Sequence, residues 1–577
     1  MVFERCEWTG NACAATGAFR RTLWICIRFS HQPRISHGRK TSGSRASLRS
    51  FLANAFALLR LALVHAALGG KASPPERTVT IPNLSCGGAQ VIILLNPSAT
   101  KPRNCRLPIS VLALAAVLEG REEYQIIDGN IDSNAIRNIL RLIDERNVEL
   151  LGVTVMPGPQ MVAAMEASRE VRRLHPRVPI VWGGYFPSIY PDAALNAKYV
   201  DYVVRGQGED TLIELIDALR VKSSLEDIKG LSYKDLFGLH RHNPERLMKG
   251  PDAFPWSPFH RVPVEQYLRP SFFGKRTAVH QASIGCPFRC SFCGVHAAYG
   301  TKERMESPGR TAAVLHHLAT RYGADSVQFY DMNFFLREDH ARELAERITP
   351  LKLQWWCEAR VDTISRYSEQ TLRVLCQAGC TMIFFGAESG SDWALKEMQK
   401  DISTNQTLSV ASRMRQCGII PEFSFVIGNP RDPERDTRET LQFIRKIKRL
   451  NPSSEVIMYH YTPVPQRGPM YGNIDGQIAF PSTPEEWATK RWMDFTLRID
   501  PNTPWLKRKT KRLIENFEVV VGSRWPTVQD IRAPRWSRAL LKTLSAWRYA
   551  SHIYRFPKEL RWAHQFIDLR KPKQESL

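Results

Sequence analysis

Apolar runs alternate with amphipathic stretches from about residue 88 onward. The runs have the length and composition of β-strands, and the stretches between them carry apolar residues at helical spacing. The strand-like runs are VIILLN (91–96), YQIID (124–128), LLGVTV (150–155), PIVWGG (179–184) and YVDYVV (199–204), and the helical stretches cover 108–119, 134–146, 160–174 and 209–220. This alternation predicts a flavodoxin-like, doubly wound α/β domain over residues 88–222. Such a sheet binds its ligand beyond the carboxyl ends of its strands.

A second alternating series follows a linker, 223–274, that is rich in Pro, Phe and His. Its strand-like runs are TAVHQASI, SVQFYD, LQWWCEA, TMIFFGAE, EFSFVIG and EVIMYHY, and its helical stretches include 338–347, 367–378, 404–417 and 434–449. Six strand–helix units are two short of a closed eight-stranded barrel. We therefore expect a partial (β/α)6 barrel over 275–475, followed by a basic, helical C-terminal region over 476–577.

The first 87 residues have no comparable pattern. They are rich in Arg and Ser, almost free of acidic residues, and contain the apolar stretch FLANAFALLRLALVHAALGG at 51–70. A transit peptide or an amphipathic helix on a membrane surface has a similar composition. Arg60 and His65 interrupt the stretch, which argues against a spanning helix. We favour a leader without a folded role, such as one produced by a start codon assigned too early.

The charge of the chain lies at its two ends. Of the net +23, residues 1–80 hold +9 and residues 501–577 hold +11, which leaves about +3 for the part that carries the chemistry. The near-neutral centre argues against nucleic acid as a partner, and no RNA-binding motif is visible. The twelve cysteines are scattered apart from one cluster, which predicts metal chemistry in a reducing cytoplasm and not a disulfide framework.

That cluster is SIGCPFRCSFCG (283–294), with Cys286, Cys290 and Cys293 directly after the first strand of the second series. Side chains at this position lie at the mouth of a barrel, where active sites are found. Structural zinc takes four protein ligands, and no second pair occurs downstream at a useful spacing. Three thiolates fit an iron–sulfur cluster in which one iron is left open to a small molecule.

The spacing C-x3-C-x2-C, with the aromatic Phe292 before the last cysteine, resembles the signature of the radical S-adenosylmethionine enzymes. The resemblance implies a [4Fe–4S] cluster held by Cys286, Cys290 and Cys293, whose open iron chelates S-adenosylmethionine. It also implies reductive cleavage of that molecule to a 5′-deoxyadenosyl radical, with an electron from a donor such as flavodoxin or ferredoxin.

Two further segments resemble parts of that family's cofactor site. FGAESGS (385–391) is similar to its fourth-strand segment, which implies that Glu388, with Ser389 beside it, reaches the ribose hydroxyls of S-adenosylmethionine. Capping of a helix by Ser389 or Ser391 is the structural alternative. FSFVIGNP (423–430) is similar to the fifth-strand segment, where Gly428 would permit close approach of the adenine.

FYDMNFF (329–335) and CEARVD (357–362) complete the resemblance. In the first segment, Asp331 and Asn333 would lie near the methionine amine, or would cap the following turn. In the second, Arg360 would pair with the methionine carboxylate, or would form a structural ion pair with Asp362 or Glu358.

The first domain resembles the cobalamin-binding domain that precedes the barrel in one large subclass of these enzymes. In cobalamin domains with a histidine ligand the signature runs D-x-H-x-x-G, then S-x-L, then G-G. The resemblance implies cobalamin contacts from Asp128, Gly129, Asn130, Thr154, Gly183 and Gly184. Since Asn130 stands where the histidine would be, the lower face of the cobalt should have no protein nitrogen ligand.

The resemblance implies an enzyme, and the commonest reaction of this subclass is methylation of an unactivated carbon of a small molecule, such as a secondary metabolite or a lipid. An anaerobic oxidative cyclase or hydroxylase of the tetrapyrrole-cyclase type is the main alternative. A non-catalytic cobalamin-binding protein is a third, against which the intact three-cysteine motif argues.

The end of the chain mixes aromatic and cationic residues, as in LKTLSAWRYASHIYRFPKELRWAHQF (541–566). Such a mixture suits peripheral contact with a membrane surface, a polyanion or an anionic substrate. It also suits a helical lid over the barrel mouth, which is the role that we favour from the sequence.

Overall fold

The computed structural model describes residues 90–462, 478–497, 503–529 and 533–567. The whole of the predicted leader, residues 1–87, with its apolar stretch, therefore lies outside the described residues. The remainder contains two sheets, each formed by one of the two alternating series. None of the helices in the described ranges is both long and apolar enough to cross a bilayer.

The first sheet has seven strands in the order β2-β1-β3-β4-β5-β6-β7. The strands are β1 Val91–Asn96, β2 Glu123–Asp128, β3 Val148–Thr154, β4 Ile180–Gly183, β5 Tyr202–Val204, β6 Leu231–Lys234 and β7 His240–His242. The first five are parallel, in the flavodoxin order that the sequence predicts. The last two are antiparallel and lie in the predicted linker, so the sheet extends about twenty residues beyond the predicted domain boundary.

Helices cover both faces of this sheet. They are α1 Ile109–Leu118, α2 Ala135–Glu145, α3 Pro159–Leu174, α4 Tyr185–Ile189, α5 Pro191–Leu195 and α6 Glu209–Val221. Alternate residues of one strand enter opposite apolar layers: Ile93 packs beneath α2 and α3, and Ile92 beneath α1 and α6. A strand that is buried on both faces is expected to be continuously apolar, as VIILLN is.

The second sheet has six parallel strands in the order β15-β14-β13-β12-β11-β8, an open partial barrel. The elements, preceded by the short helix α7 Val264–Tyr267, are β8 Thr277–His280, β9 Ser283–Ile284, α8 Val295–Tyr299, β10 Arg304–Met305, α9 Pro308–Tyr322, β11 Ser326–Phe329, α10 Glu338–Ile348, β12 Gln354–Arg360, α11 Val361–Arg366, α12 Glu369–Gln377, β13 Cys380–Glu388, α13 Asp392–Glu397, α14 Thr404–Cys417, β14 Ile420–Ile427, α15 Pro433–Leu450 and β15 Glu455–His460. The strands β9 and β10 form a separate antiparallel ribbon. The predicted partial (β/α)6 barrel is confirmed.

The C-terminal region contains α16 Pro484–Trp487, α17 Lys490–Thr496, α18 Arg508–Arg524, α19 Arg535–Ser551 and α20 Lys558–Phe566. These helices do not form the predicted lid. Trp487 packs in the core of the first domain, and α18 packs against α15 on the outside of the barrel, where Phe517 joins the outer apolar layer. Tyr549 and Tyr554 pack against this layer, whereas Trp547 and Trp562 are exposed to solvent, so none of these four aromatic residues is buried at the barrel mouth.

Candidate functional site

The cysteine loop begins where the chain leaves β9, at the carboxyl end of β8. Gly285 has a φ of +84°, and a Cβ there would lie 2.4 Å from the carbonyl oxygen of Lys302, so only glycine allows this turn. Beyond the turn, the Cys293 N–H donates to the carbonyl of Cys290 at 3.2 Å. Cys290 is buried, while Cys286 and Cys293 are half-buried. The loop therefore brings three cysteine thiols, none of them in a disulfide, to the mouth of the barrel.

The surroundings of Cys290 suit a thiolate that binds a cluster. Nη1 of Arg360 lies 3.3 Å from its sulfur, and a cation at this distance stabilises the ionised thiol. Phe292, Met398 and Val426 form an apolar wall beside it that excludes water. Burial raises the pKa of the Cys286 thiol, so its ionisation costs free energy. Binding of the thiolate to iron would offset that cost.

Across the described ranges, no three His, Cys, Asp or Glu side chains are arranged to hold one metal ion. This agrees with a cluster, because each cysteine of a [4Fe–4S] centre binds a different iron and the sulfurs need not converge on one point. The donor set of three thiols, with one of them paired to a guanidinium, fits that group.

Arg360 ends β12 and is held in place by four groups. Its Nε donates to Asp362 Oδ1 at 2.9 Å and its Nη2 to the carbonyl of Lys400 at 2.6 Å. Its guanidinium carbon lies 3.6 Å from the centre of the Phe288 ring. The structural ion pair with Asp362 is therefore present, and Arg360 contacts Cys290 at the same time. Its proposed contact with a methionine carboxylate stays a prediction.

Glu388 ends β13 in the left-handed region, with a φ of +60°, which is strained for a residue with a side chain. Its Oε1 accepts a hydrogen bond from Lys400 Nζ at 2.8 Å, and both side chains are buried. Burial alone would lower the pKa of Lys400, but the Glu388 carboxylate raises it above its usual value. A Cβ at Gly386 would lie 2.2 Å from Glu388 Oε1, so this glycine leaves space for the ion pair.

Lys400 is a site residue that the sequence motifs do not reveal. It follows α13, twelve residues after Glu388, and has no local pattern of its own. Its Nζ also lies 5.7 Å from the centre of the Phe292 ring. Lys400 thus links the predicted ribose-binding carboxylate to the cysteine loop.

Ser389 is directed away from this ion pair. Its hydroxyl donates to Asp436 Oδ1 at 2.8 Å, and Asp436 Oδ2 accepts from the N–H groups of Gly428 and Asn429 at 2.9 and 3.1 Å. Gly428 has a φ of +93°, and a Cβ there would lie 3.1 Å from Leu506 Cδ1. Ser389 therefore supports the turn at Gly428. Its contact with a ribose hydroxyl stays a prediction.

Asp331 and Asn333 follow β11 and lie completely inside the protein. Asp331 Oδ2 accepts from the Ala282 N–H at 3.1 Å, and burial raises the pKa of Asp331 to about 6. Neither amide atom of Asn333 has a hydrogen-bond partner among the described residues. Buried amides without partners are rare and costly, so Asn333 fits a site that a polar ligand such as S-adenosylmethionine completes.

Two further half-buried acids border this region and were not predicted. Burial, followed by the charge of Asp331, raises the pKa of Glu303 to about 8. Burial, followed by the charges of Glu422 and Asp331, raises the pKa of Glu358 to about 8. The interior of the barrel mouth therefore holds more carboxyl groups than cations to balance them. A cationic ligand such as a sulfonium compound suits such a surface.

A cavity of about 250 Å³ lies at the carboxyl ends of the strands of the first sheet. Thr154, Gly183 and Gly184, which are predicted to contact cobalamin, line it. Gly184 has a φ of +94°, and a Cβ there would lie 3.0 Å from Thr154 Oγ1. Thr154 Oγ1 is also 3.3 Å from Ser110 Oγ. The cavity is mainly apolar and runs between the sheet and helices α1 and α6, which fits the nucleotide tail of cobalamin.

Other glycines of this cavity were missed. Gly152, Gly206 and Gly208 also line it, and a Cβ at Gly152 would lie 3.2 Å from Leu94 Cδ2. The segment RGQGED (205–210) carries two of them after a strand and before a helix, which is the available signal in the sequence.

Asp128, Gly129 and Asn130 do not line this cavity. Asn130 Oδ1 accepts from the N–H groups of Ala99 and Thr100 at 2.9 and 3.1 Å, and its Nδ2 donates to Asp128 Oδ1 at 2.8 Å. Asp128 Oδ2 accepts from the Tyr267 hydroxyl at 2.9 Å. Gly129 and Asn130 instead border a separate groove of about 550 Å³. These residues brace the loop after β1, and their direct contact with cobalamin stays a prediction.

The barrel provides the opposite wall of the 250 Å³ cavity. His280, Gln281 and Ile284 line it, and they immediately precede Cys286. His280 Nε2 lies 2.8 Å from Glu306 Oε2, which also accepts from the Thr311 hydroxyl, and Glu306 Oε1 accepts from Arg310 Nε. The cavity of the first domain therefore ends against the segment that carries the cysteine loop.

Comparison with known proteins agrees with both halves of the site. The chain matches the model of the B12 binding domain over residues 98–216 and that of the radical SAM superfamily over residues 281–444. It is 28% identical over 343 residues to an uncharacterized methyltransferase of Pyrococcus horikoshii, covering 59% of this chain and 73% of that protein. It is 25% identical to the cytidylyl-2-hydroxyethylphosphonate methyltransferase of Streptomyces wedmorensis, covering 59% and 73%.

A third relative has a different named activity. The anaerobic magnesium-protoporphyrin IX monomethyl ester cyclase of Cereibacter sphaeroides is 22% identical, covering 63% of this chain and 57% of that protein.

Two solved structures share the fold. The radical S-adenosylmethionine methyltransferase TsrM of Kitasatospora setae, with cobalamin and a [4Fe–4S] cluster bound, superimposes with a TM-score of 0.55 at 22% identity, covering 68% of this chain and 75% of that one. The cobalamin-dependent S-adenosylmethionine radical enzyme OxsB superimposes with a TM-score of 0.60 at 17% identity, covering 83% and 75%. The chain therefore combines a B12 binding domain with a radical SAM domain and its three-cysteine loop, as cobalamin-dependent radical S-adenosylmethionine enzymes do, and its cofactors are a [4Fe–4S] cluster, S-adenosylmethionine and cobalamin.

Proposed function

We propose that the enzyme methylates an unactivated carbon of a small molecule, either a secondary metabolite or a lipid. The observation that carries the proposal is the shared wall of the 250 Å³ cavity. Thr154, Gly183 and Gly184 bound it on one side, and His280 and Gln281 of the barrel bound it on the other. A cobalamin bound through this cavity would lie beside the cysteine loop, next to where the radical is generated.

When bound, the cluster and S-adenosylmethionine supply the power to remove a hydrogen atom, and cobalamin supplies the methyl group. The residues of the chain bind and orient these groups and exclude water. Arg360 supports the ionised Cys290, the Lys400–Glu388 pair presents a fixed carboxylate for hydroxyl groups, and Asn333 offers an unpaired amide. The apolar wall of Phe292, Met398 and Val426 keeps solvent from the cysteine loop. We also propose that a flavodoxin or a ferredoxin donates the electrons that reduce the cluster.

The proposal includes cobalamin without a protein nitrogen on its cobalt. Asn130 makes hydrogen bonds to backbone groups, and the histidine that lines the described cavity, His280, is paired to the carboxylate of Glu306. Electron paramagnetic resonance of the Co(II) state should show no splitting from an axial nitrogen. Clear splitting that disappears in His280→Phe would contradict this part of the proposal.

The reaction itself can be tested with S-adenosylmethionine that carries an isotopically labelled methyl group. The anaerobically reconstituted enzyme, with reductant and cobalamin, is incubated with a metabolite extract and its products are compared with those of Cys290→Ala. A matched control is Cys417→Ala, which removes a half-buried thiol at the end of α14. We expect a product that has gained one labelled CH₂ group with the wild type and with Cys417→Ala, and none with Cys290→Ala.

An oxidative, ring-forming reaction is the second candidate, because the chain resembles a named cyclase over 63% of its length. Its product would contain no label and would have lost hydrogen. An unlabelled, oxidised product that depends on Cys290 would therefore favour the cyclase and contradict methylation. The small-molecule substrates in the names of both kinds of relative support a small molecule as the substrate here.

A further inference from the structure

We propose that helices α19 and α20 dock on the surface of a membrane that contains anionic lipids. The starting observation is a line of large apolar side chains on α19 that face solvent. Trp536, Leu540 and Trp547 are 68%, 44% and 52% exposed. At about 100° per residue they lie within about 40° of one another around the helix and span about 16 Å along it. Such a line is suited to a flat apolar boundary.

The opposite side of α19 is already occupied. Leu541 and Ser545 are completely buried, and α19 packs along α18. The exposed line is therefore not required for the fold of the described region. Large exposed apolar patches mark interaction surfaces in folded proteins.

The next helix continues this character. Trp562 and Phe566 of α20 are 64% and 71% exposed, and their ring centres lie 4.9 Å apart. Phe556, between the helices, is 73% exposed. Tryptophan and phenylalanine beside cations favour the interface between lipid headgroups and acyl chains.

Charge selects anionic lipid as the occupant. Residues 535–567 contain seven Lys and Arg residues and one acidic residue, Glu559, and Glu559 is paired with Arg548. The exposed cations are Arg535, Lys542, Arg555, Lys558 and Arg561. A second copy of the chain would bring the same positive charge to the contact, whereas anionic headgroups would neutralise it. Nucleic acid would meet the charge but not the aliphatic surface of Leu540 and Ile553.

The test uses the full-length enzyme with vesicles of phosphatidylcholine, either alone or mixed with phosphatidylglycerol. We expect the chain to sediment with the mixed vesicles, to remain in solution with phosphatidylcholine alone, and to be released by high salt. Arg555→Gln with Lys558→Gln, the exposed cations beside Phe556 and Trp562, should weaken binding about 25-fold, since each cation near an anionic surface contributes about fivefold. Trp536→Gln with Trp547→Gln should weaken it at least as much.

The control pair is Leu236→Gln with Phe237→Gln, at the turn between β6 and β7. These residues are 101% and 88% exposed, so the change removes a similar exposed apolar surface elsewhere. Vesicle binding should be unchanged in this control, and cleavage of S-adenosylmethionine should be unchanged in all three pairs.

Three results would overturn the proposal. The first is a wild-type chain that stays in solution with mixed vesicles at low salt, and the second is an equal loss of binding in the control pair. The third is a change in the sedimentation coefficient of the vesicle-free chain on replacing Trp536 and Trp547, which would identify a second copy as the occupant.

Discussion

Gly183 offers a direct test of the cavity, because at this position a side chain can be added without straining the backbone. Gly183 ends β4 and is extended, and a Cβ there would lie 3.7 Å from its nearest neighbour, the carbonyl oxygen of Val204. This is an ordinary contact, so the protein itself accommodates the added atom. The rest of a valine side chain would then project into the 250 Å³ cavity that Gly183 lines. Gly183→Val should fold and should compete with cobalamin for the space.

The expected size of the effect follows from packing. Inserting a few extra carbons into a well-packed site costs about 1–3 kcal/mol, which corresponds to about a five- to 150-fold loss of cobalamin affinity. The assay is a titration of the cobalamin-free chain with hydroxocobalamin, beside denaturant unfolding of the same sample. Gly522→Val, on the exposed side of α18 with no atom within 4 Å of the new Cβ, is the matched control. Wild-type affinity in Gly183→Val would show that this cavity does not hold cobalamin.

The remaining predictions concern the barrel. Alanine at the three cysteines of the 286–293 loop should abolish both the iron–sulfur absorbance and the cleavage of S-adenosylmethionine, and retention of either would contradict the assigned ligands. Lys400→Met leaves Glu388 charged and buried without its partner, so it should lower the free energy of unfolding by about 3–5 kcal/mol. Adding Glu388→Leu should recover much of this loss. A double variant as unstable as Lys400→Met alone would refute the pairing of the two side chains. The pKa of Glu303 is raised to about 8, so the folded chain binds the proton of this carboxyl group more tightly than the unfolded chain does. The free energy of unfolding should therefore fall as the pH rises from the usual carboxyl range towards 8. Denaturant midpoints of the cluster-free chain across this range should show a shallower fall in Glu303→Gln, and an unchanged slope would show that Glu303 does not titrate there.

The strands and their alternation were predictable because each strand is apolar over a continuous run, a local property of the chain. The order of the strands in the sheet is not a local property, and it explains why Asn130 does not line the cavity that Thr154 and Gly183 line. The sequence places Asn130 at a strand end, as the cobalamin signature requires, but β2 is the edge strand beyond β1. Thr154 and Gly183, at the ends of β3 and β4, line the cavity together with the end of β5. The end of β2 is separated from these strands by β1. Spacing along the chain does not report this displacement.

Side-chain partners distant in sequence were equally inaccessible. Glu388 was predictable from its motif, but Lys400 comes from a turn after a helix, where a lysine is usually an exposed residue. It is identified as a site residue only by its burial and by its 2.8 Å contact with Glu388. Ser389 shows the reverse case, since its motif position suggests a ligand contact while its hydroxyl is bonded to Asp436.

The segment after the barrel fixes the two cofactor regions relative to each other. Trp487 is buried in the core of the first domain, with its ring centre 4.5 Å from that of Tyr190. Further along the chain, Trp505 packs beside Tyr461 in the apolar cluster around Cys290, and Leu506 lies over Gly428, where an added Cβ would be 3.1 Å from Leu506 Cδ1. The chain thus packs first against the cobalamin-binding domain and then against the cysteine loop. In the proposed methylation, a methyl donor and a hydrogen-abstracting centre must act on the same carbon, so their separation has to be constant. Because Trp487 packs in the first domain and Trp505 and Leu506 pack at the barrel mouth, the separation of the two cofactor regions is held more firmly than by a linker between the domains alone.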